Sequence, residues 1–135
     1  MIVVDIRIWI DNFNGLNTSE TEILDSSLGR NRVAIGDLII LEILQGFHSD
    51  KDYKTANKHH LESLHQYHLL TPKFAIKGAD NYRKLRKKGI TIEKTADLII
   101  ATFCIKNQLP LLFTDKDFVP FTQHLKLRSV SAMGI

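Results

Sequence analysis

The chain has 135 residues, enough for one domain with a real core and too few for two. Eighteen Lys and Arg against fifteen Asp and Glu leave a formal charge of +3, which permits a nucleic-acid partner without requiring one. The single cysteine, Cys104, excludes a disulfide framework and a thiol-pair metal site, and the apolar start is interrupted by Asp5, Arg7 and Asp11. The expectation is therefore one soluble, unprocessed domain over residues 1–135, in a reducing cytoplasm and without a membrane span.

In chain order, Met1-Ile2-Val3-Val4 is an apolar run stopping at Asp5, the pattern of a strand buried on both faces that delivers a carboxylate to its end. Ile6 to Phe13 suits a short amphipathic helix ended by Asn14-Gly15. Thr18 and Ser19 offer N-caps for a second helix stopped at Gly29, with Ser19 and Glu22 at capping-box spacing. Arg32 to Ile35 reads as a strand, and Asp37 as the cap of a third helix, Leu38 to Phe47. A longer helix opening at Ser49 or Asp50 is predicted from the spacing of Tyr53, Ala56, His60, Leu61, Leu64 and Tyr67. Leu69-Leu70 suggests a minor strand. Thr71-Pro72 starts a helix burying Ala75, Ala79, Tyr82 and Leu85, which ends in a basic run before Gly89. Thr95 is expected to cap Ala96 to Asn107, apolar nearly all round and so central. Leu111-Leu112-Phe113 reads as a strand ending at Thr114-Asp115-Lys116-Asp117, and Arg128 to Val130 as an edge strand. Alternating strands and helices predict an α/β fold, a mainly parallel sheet of four to five strands with helices on both faces.

The acids carry the chemistry. Glu42 lies inside Leu38-Ile39-Ile40-Leu41-Glu42-Ile43-Leu44 with no Lys or Arg three or four places away, so a metal, a distant base or a proton must satisfy it unless it escapes to solvent at a helix rim. Asp97 sits in the first turn of the most apolar helix, where helix electrostatics alone would explain it; below it Ala101 and Cys104 fall on the same face and let another element come close. Asp115 and Asp117 suit a helix cap, but two acids exceed what capping needs. Carboxylates that converge raise one another's pKa unless cations neutralise them, and an all-oxygen set suits Mg²⁺ or Mn²⁺. Such ions are commonly held by a few carboxylates plus substrate phosphate, which points to phosphodiester hydrolysis.

With these residues in this order, the chain resembles the PIN-domain ribonucleases, specifically the VapC-type toxins of toxin-antitoxin pairs. Val3-Val4-Asp5 with Trp9-Ile10-Asp11 looks like the family's opening, Leu41-Glu42 with Gln45-Gly46 its second motif, Asp97-Leu98-Ile99-Ile100-Ala101 its third, and Thr114-Asp115-Lys116-Asp117-Phe118 its fourth. The resemblance implies a PIN-like fold and a Mg²⁺-dependent (or Mn²⁺-dependent) endoribonuclease, usually dimeric and inhibited by a cognate VapB-like antitoxin, leaving 5′-phosphate and 3′-hydroxyl ends. Asp5, Glu42, Asp97 and an acid of the Asp115/Asp117 pair would hold the ions, with the choice within that pair open. One departure stands out: the family follows its first Asp with Ser or Thr residues, and here Ile6-Arg7 follows, a methyl-bearing side chain and a cation that can compete with metal. A catalytically impaired RNA- or partner-binding module is the alternative this creates. An aspartyl-phosphate hydrolase with Asp5 as nucleophile ranks last, because Arg7 stands where such enzymes carry a second acid.

Two further surfaces follow. Arg83, Lys84, Arg86, Lys87 and Lys88, five cations in six residues at a helix end, suit either the helix dipole or RNA phosphate. Trp9, Phe13 and Leu16, on and just after the first helix, are the expected seat of an apolar antitoxin helix.

Overall fold

A computed structural model describes residues 1–56 and 61–130. Strands β1 (Ile2–Val4), β2 (Val33–Gly36) and β4 (Leu111–Leu112) are buried at every position. Because successive side chains point to opposite faces, complete burial means that both faces of these strands are covered. The fourth strand, β3 (His65–Tyr67), is exposed and lies at an edge. All pairings are parallel, in the order β3-β2-β1-β4, with Ile2 beside Val33, Val3 beside Leu111 and Ala34 beside His65. Beyond β4 a bridge between Leu111 and Ser129 adds the beginning of the fifth strand expected over Arg128 to Val130.

Seven α-helices join these strands among the described residues: α1 (Ile6–Phe13), α2 (Ser19–Gly29), α3 (Asp37–Gln45), α4 (Asp50–Thr55), α5 (Pro72–Lys87), α6 (Thr95–Asn107) and α7 (Val119–His124). None is long and apolar enough to cross a membrane. The core is built from Val3, Val4, Ile8, Trp9, Leu24, Ile35, Ile39, Leu85, Ile100, Phe118 and Phe121 with their neighbours.

Several local expectations shift, each for a physical reason. The box at the start of α2 is Thr18 with Thr21, whose hydroxyls each accept the other's backbone N–H, at 3.0 and 2.8 Å; Ser19 is already helical. Asp37 is the first residue of α3 rather than its cap. Its carboxylate accepts the N–H of Leu38 at 2.8 Å and that of Leu69 at 3.1 Å, tying the segment after β3 to the end of β2. There Leu69 occupies the space a Cβ at Gly36 would need, which is why a glycine ends β2.

The long helix predicted from Ser49 begins as α4, capped by Ser49, and Ala56 and Leu61 are π-helical, but Tyr67 belongs to β3 instead. Without that strand the outer edge of β2 would lack backbone partners, a stronger demand than apolar spacing. His60 lies outside the described residues. The minor strand expected at Leu69-Leu70 is found just before it, at His65–Tyr67.

Thr71 caps α5 as expected, accepting the Phe74 N–H, with Pro72 first in the helix. Its inward face is Phe74, Gly78, Asn81 and Leu85, whereas Ala75 and Ala79 are exposed and Tyr82 only half-buried. Asn81 can go inside because its side-chain N–H donates to the Thr102 hydroxyl of α6 at 3.2 Å. At the start of α6, the residue in the capping position is Lys94, with Thr95 already helical.

Candidate metal centre

The strand order creates the site. From β1 the chain moves outward to β2 and β3, then returns to add β4 on the other side of β1, so the direction of winding reverses between β1 and β4. Crevices form at the carboxyl ends of strands at such a reversal. Asp5 follows β1 directly, and Asp115 lies three residues beyond β4.

Asp5 is 3% exposed and occupies the capping position of α1, but its side chain makes no cap hydrogen bond, so capping does not account for it. Glu42 is half-buried between the buried Ile39 and Ile43 on α3. Asp97, in the first turn of α6, is 8% exposed. One oxygen of each of these three carboxylates, Asp5 Oδ1, Glu42 Oε1 and Asp97 Oδ2, is buried and has no hydrogen-bond partner among the described residues.

Asp115 and Asp117 are handled differently. Asp115 Oδ1 accepts the Asp117 N–H at 2.9 Å, capping a 3-10 turn (Lys116–Phe118) that leads into α7. Asp115 Oδ2 accepts from Lys94 Nζ at 3.2 Å, and Asp117 Oδ2 lies 3.6 Å from the same ammonium. Asp97, Asp115 and Asp117 each offer an oxygen within 4.8 Å of the others. The two acids left as alternatives by the sequence thus both reach Asp97.

Electrostatics link all five. Burial pushes the Asp5 carboxyl up to about 7, helped by the charges of Asp97, Glu42 and Asp115 and opposed by the Ile6 N–H. Asp97 rises to about 6 through burial and through Asp115 and Asp117, with Lys94 opposing. Burial, then Asp97, raises Glu42. Asp115 alone is lowered, first by the Asp117 N–H and then by Lys94, with Arg7 adding to it. Cys104 is fully buried on the small-residue stripe below Asp97; its thiol is pushed up to about 12 by burial and by Asp5, which brings α6 against the end of β1 as that stripe suggests.

Lys94 is the residue sequence reasoning missed. The available signal was a lysine ahead of the first turn of a helix, where the dipole disfavours a cation and where some nearby anion must hold it. Arg7 is exposed and bears on Asp115 from a distance, without an ion pair among those found in the described residues.

The five cations from Arg83 to Lys88 are all exposed, with Lys84, Arg86 and Lys87 in the last turn of α5. The loop of residues 88–94 connects that end to α6 and the acids. Trp9 is 1% exposed and stacks on Phe13 at 6.2 Å, so it is a core residue and is not presented to a partner as the sequence suggested; Leu16 is 51% exposed.

A family model described as the PIN domain matches residues 2–121. The chain belongs to the PIN domain family. No curated protein is significantly similar in sequence. Among solved structures, this PIN domain is similar to a chain of VapBC2 from Rickettsia felis bound to a promoter DNA fragment, with a TM-score of 0.76 at 19% identity over 96% of this chain and 98% of that one. FitAcB from Neisseria gonorrhoeae gives 0.78 at 14% identity with both chains fully covered. DNA-bound VapBC from Salmonella typhimurium gives 0.72 at 16% identity, over 98% and 99%. At such identities the likeness is one of fold, and it extends over essentially the whole PIN domain.

Proposed function

We propose that this PIN domain is the toxin of a toxin-antitoxin pair and acts as a Mg²⁺- or Mn²⁺-dependent endoribonuclease. The observation that supports the reading is the cluster of Asp97, Asp115 and Asp117, each with an oxygen within 4.8 Å of the others, to which the charges of Asp5 and Glu42 are coupled, with Asp5 and Asp97 raised towards neutrality. Buried carboxylate oxygens without partners are unfavourable unless a proton or cation reaches them, and an all-oxygen set suits a hard divalent ion. Asp97, Asp115 and Asp117 would hold such an ion, with Asp5 and Glu42 completing the set. When bound, a divalent ion supplies Lewis acidity, neutralising charge on a phosphodiester and making water a better nucleophile near neutral pH.

The chain's own residues supply the rest. Asp5 and Asp97 give up their protons as a cation arrives, so metal affinity rises with pH. Glu42 Oε1, buried and unpartnered, is available to take a proton from an attacking water. Asp115, already ionised and held by the Asp117 N–H, fixes the oxygen geometry of the exposed side. The test is cleavage of RNA in Mg²⁺ or Mn²⁺ against chelator; cleavage that persists in excess chelator overturns the reading.

The structural neighbours that are toxin-antitoxin complexes support an antitoxin partner. With Trp9 in the core, the apolar surface open to an antitoxin helix is Ile10 on α1, Leu16 after it and Leu41 on α3, a helix that packs on α1. A homodimer belongs to the same proposal. Arg7 favours one second reading, an impaired module that binds RNA or a partner without cutting, because its charge already bears on Asp115. Calorimetric titration with Mn²⁺ separates the two: the impaired module does not take up the ion at the acid cluster.

A further inference from the structure

Among the described residues, the buried side-chain polar atoms without a hydrogen-bond partner are Asp5 Oδ1, Glu42 Oε1, Asp97 Oδ2 and Trp9 Nε1. The oxygens all belong to the acid cluster, and the nitrogen is a donor. An indole N–H can only donate, and a buried one ordinarily finds an acceptor. Trp9 is 1% exposed, so bulk water does not serve it. Its place in the fold is beside the acids. It lies one turn along α1 from Asp5, whose carbonyl accepts the Trp9 backbone N–H at 3.4 Å, and α1 packs on α3, which carries Glu42. Phe13 at the end of α1 meets Phe47 just after α3 edge to face at 5.5 Å. One turn back from each stand Trp9 and Ile43, both buried, with Glu42 next to Ile43.

We propose that Trp9 is a positioning residue of the metal centre, its indole N–H donating to the Glu42 carboxylate in the metal-loaded site. The inference rests on the metal-dependent reading above and adds to it the residue that holds Glu42 in its working orientation. Carboxylates that ligate a metal are themselves hydrogen-bonded, because an oxygen turned away from the ion still needs a donor where water is excluded. Asp5 has the Ile6 N–H, and Asp97 has the positive start of α6 with the Lys94 charge nearby. Glu42 has neither kind of support. It is the sixth residue of α3, beyond the free N–H groups of the first turn, and it accepts no hydrogen bond from the described residues. Glu42 is thus the acid without a donor, and Trp9 Nε1 the buried donor without an acceptor. A bond to an ionised acceptor is stronger than one between neutral groups, so ionisation of Glu42 favours the pairing. The Trp9 ring is stacked on Phe13 at 6.2 Å and enclosed by the core, which gives its N–H a fixed direction.

Trp9 is the only tryptophan, so the full-length protein labelled with ¹⁵N gives a single indole resonance. Saturating Mg²⁺ is expected to move that resonance downfield, as a strengthened hydrogen bond does, and in Glu42→Ala the resonance should keep its place. In parallel, Trp9 is replaced by benzothienylalanine, which keeps the bicyclic shape and has sulfur where the indole has its N–H. Mn²⁺ binding read by electron paramagnetic resonance should weaken about tenfold, the low end of the cost of losing a supporting hydrogen bond at a metal, while far-UV circular dichroism stays unchanged. An indole resonance that ignores Mg²⁺ in the wild type, one that moves equally in Glu42→Ala, or wild-type Mn²⁺ affinity in the replaced protein each overturn the proposal. Both readouts are taken without RNA. Protein that meets them and never cuts RNA in Mg²⁺ sinks the ribonuclease reading and leaves Trp9 as a positioning residue of a metal site. Protein that cuts RNA normally and fails them does the reverse.

Discussion

The acid cluster has two unlike halves. Asp5 and Asp97 sit on buried backbone, at the end of β1 and the start of α6, each with a carboxylate oxygen that no described group satisfies. Asp115 and Asp117 stand on a 3-10 turn at the surface, the Asp115 carboxylate accepting the Asp117 N–H and both carboxylates sharing the Lys94 ammonium. The same chemical group is therefore raised on one side and lowered on the other by its surroundings alone. The buried half is unfavourable when ionised and calls for a cation; on the exposed side Asp115 is ionised beforehand and already has one in Lys94. Divalent metal arriving here would relieve the first half and compete with Lys94 for the second.

The largest effect expected is from Glu42→Gln, which tests whether the third raised carboxylate, coupled to the buried half through Asp97, is built for reaction rather than folding. Losing a supporting residue around a metal typically costs about 10- to 100-fold, so losing a carboxylate of the set itself should lower RNA cleavage by more than about 100-fold. Removing a charge from a repelling cluster should leave the metal-free fold at least as stable at pH 8. A variant that unfolds, or that cuts RNA at the wild-type rate, would join Glu42 to the structural residues.

Next in size is the pH dependence of stability. Folded Asp5 binds its proton more tightly than an unfolded Asp does, up to about 7 against 3.8, and Asp97 follows at about 6. The folded state thus holds extra protons between about pH 4 and 7, and stability in chelator should fall as pH rises through that window, with no further gain below it. Asp5 contributes at most about 4 kcal/mol of this change. Urea unfolding at pH 4 to 8 measures the slope, and saturating Mn²⁺ should flatten it by taking the proton's place. An unchanged slope in Mn²⁺ would separate the buried half from metal binding.

Smaller effects belong to the exposed half. Replacing Ile6 by Thr and Arg7 by Ser removes a cation that bears on Asp115 and adds hydroxyls beside Asp5. Cleavage against Mg²⁺ concentration should shift by about 10-fold in favour of the variant, the low end of such supporting effects. Equal curves would mean that the unusual first motif leaves the enzyme fully competent. Lys94→Met should raise Mn²⁺ affinity only about threefold, as suits an exposed and salt-screened ion pair.

Much of this was legible from residues whose surroundings in sequence resemble their surroundings in space. Asp5, Glu42 and Asp97 are carboxylates in apolar runs, and those runs become β1, α3 and α6 with the acids still enclosed. Lys94 escaped notice because its partner Asp115 is 21 positions away and the pairing exists only once β4 is laid beside β1. The inward face of α5 was misassigned because alanine is neutral between core and surface, while Asn81, a residue usually assigned to solvent, finds Thr102 inside. Trp9 was given to the surface because a short helix beside a site looked like a docking element, yet its ring fills the core. The helix predicted through Tyr67 failed because β2 needed a neighbour, and no periodicity within one segment reports the needs of another.

The hydrogen bond between Asn81 and Thr102 acts as a vernier between two kinds of charge. Gly78 of α5 faces Thr102 and Leu98 of α6 at ordinary contact distance, and the buried amide bonded to Thr102 favours one longitudinal setting of the pair. A slip by one helical turn would carry the cationic end of α5 about 5.4 Å along α6, changing its distance from Asp97 while leaving every residue of the acid cluster untouched. A neutral contact in the interior thereby calibrates the spacing between the protein's positive end and its negative centre.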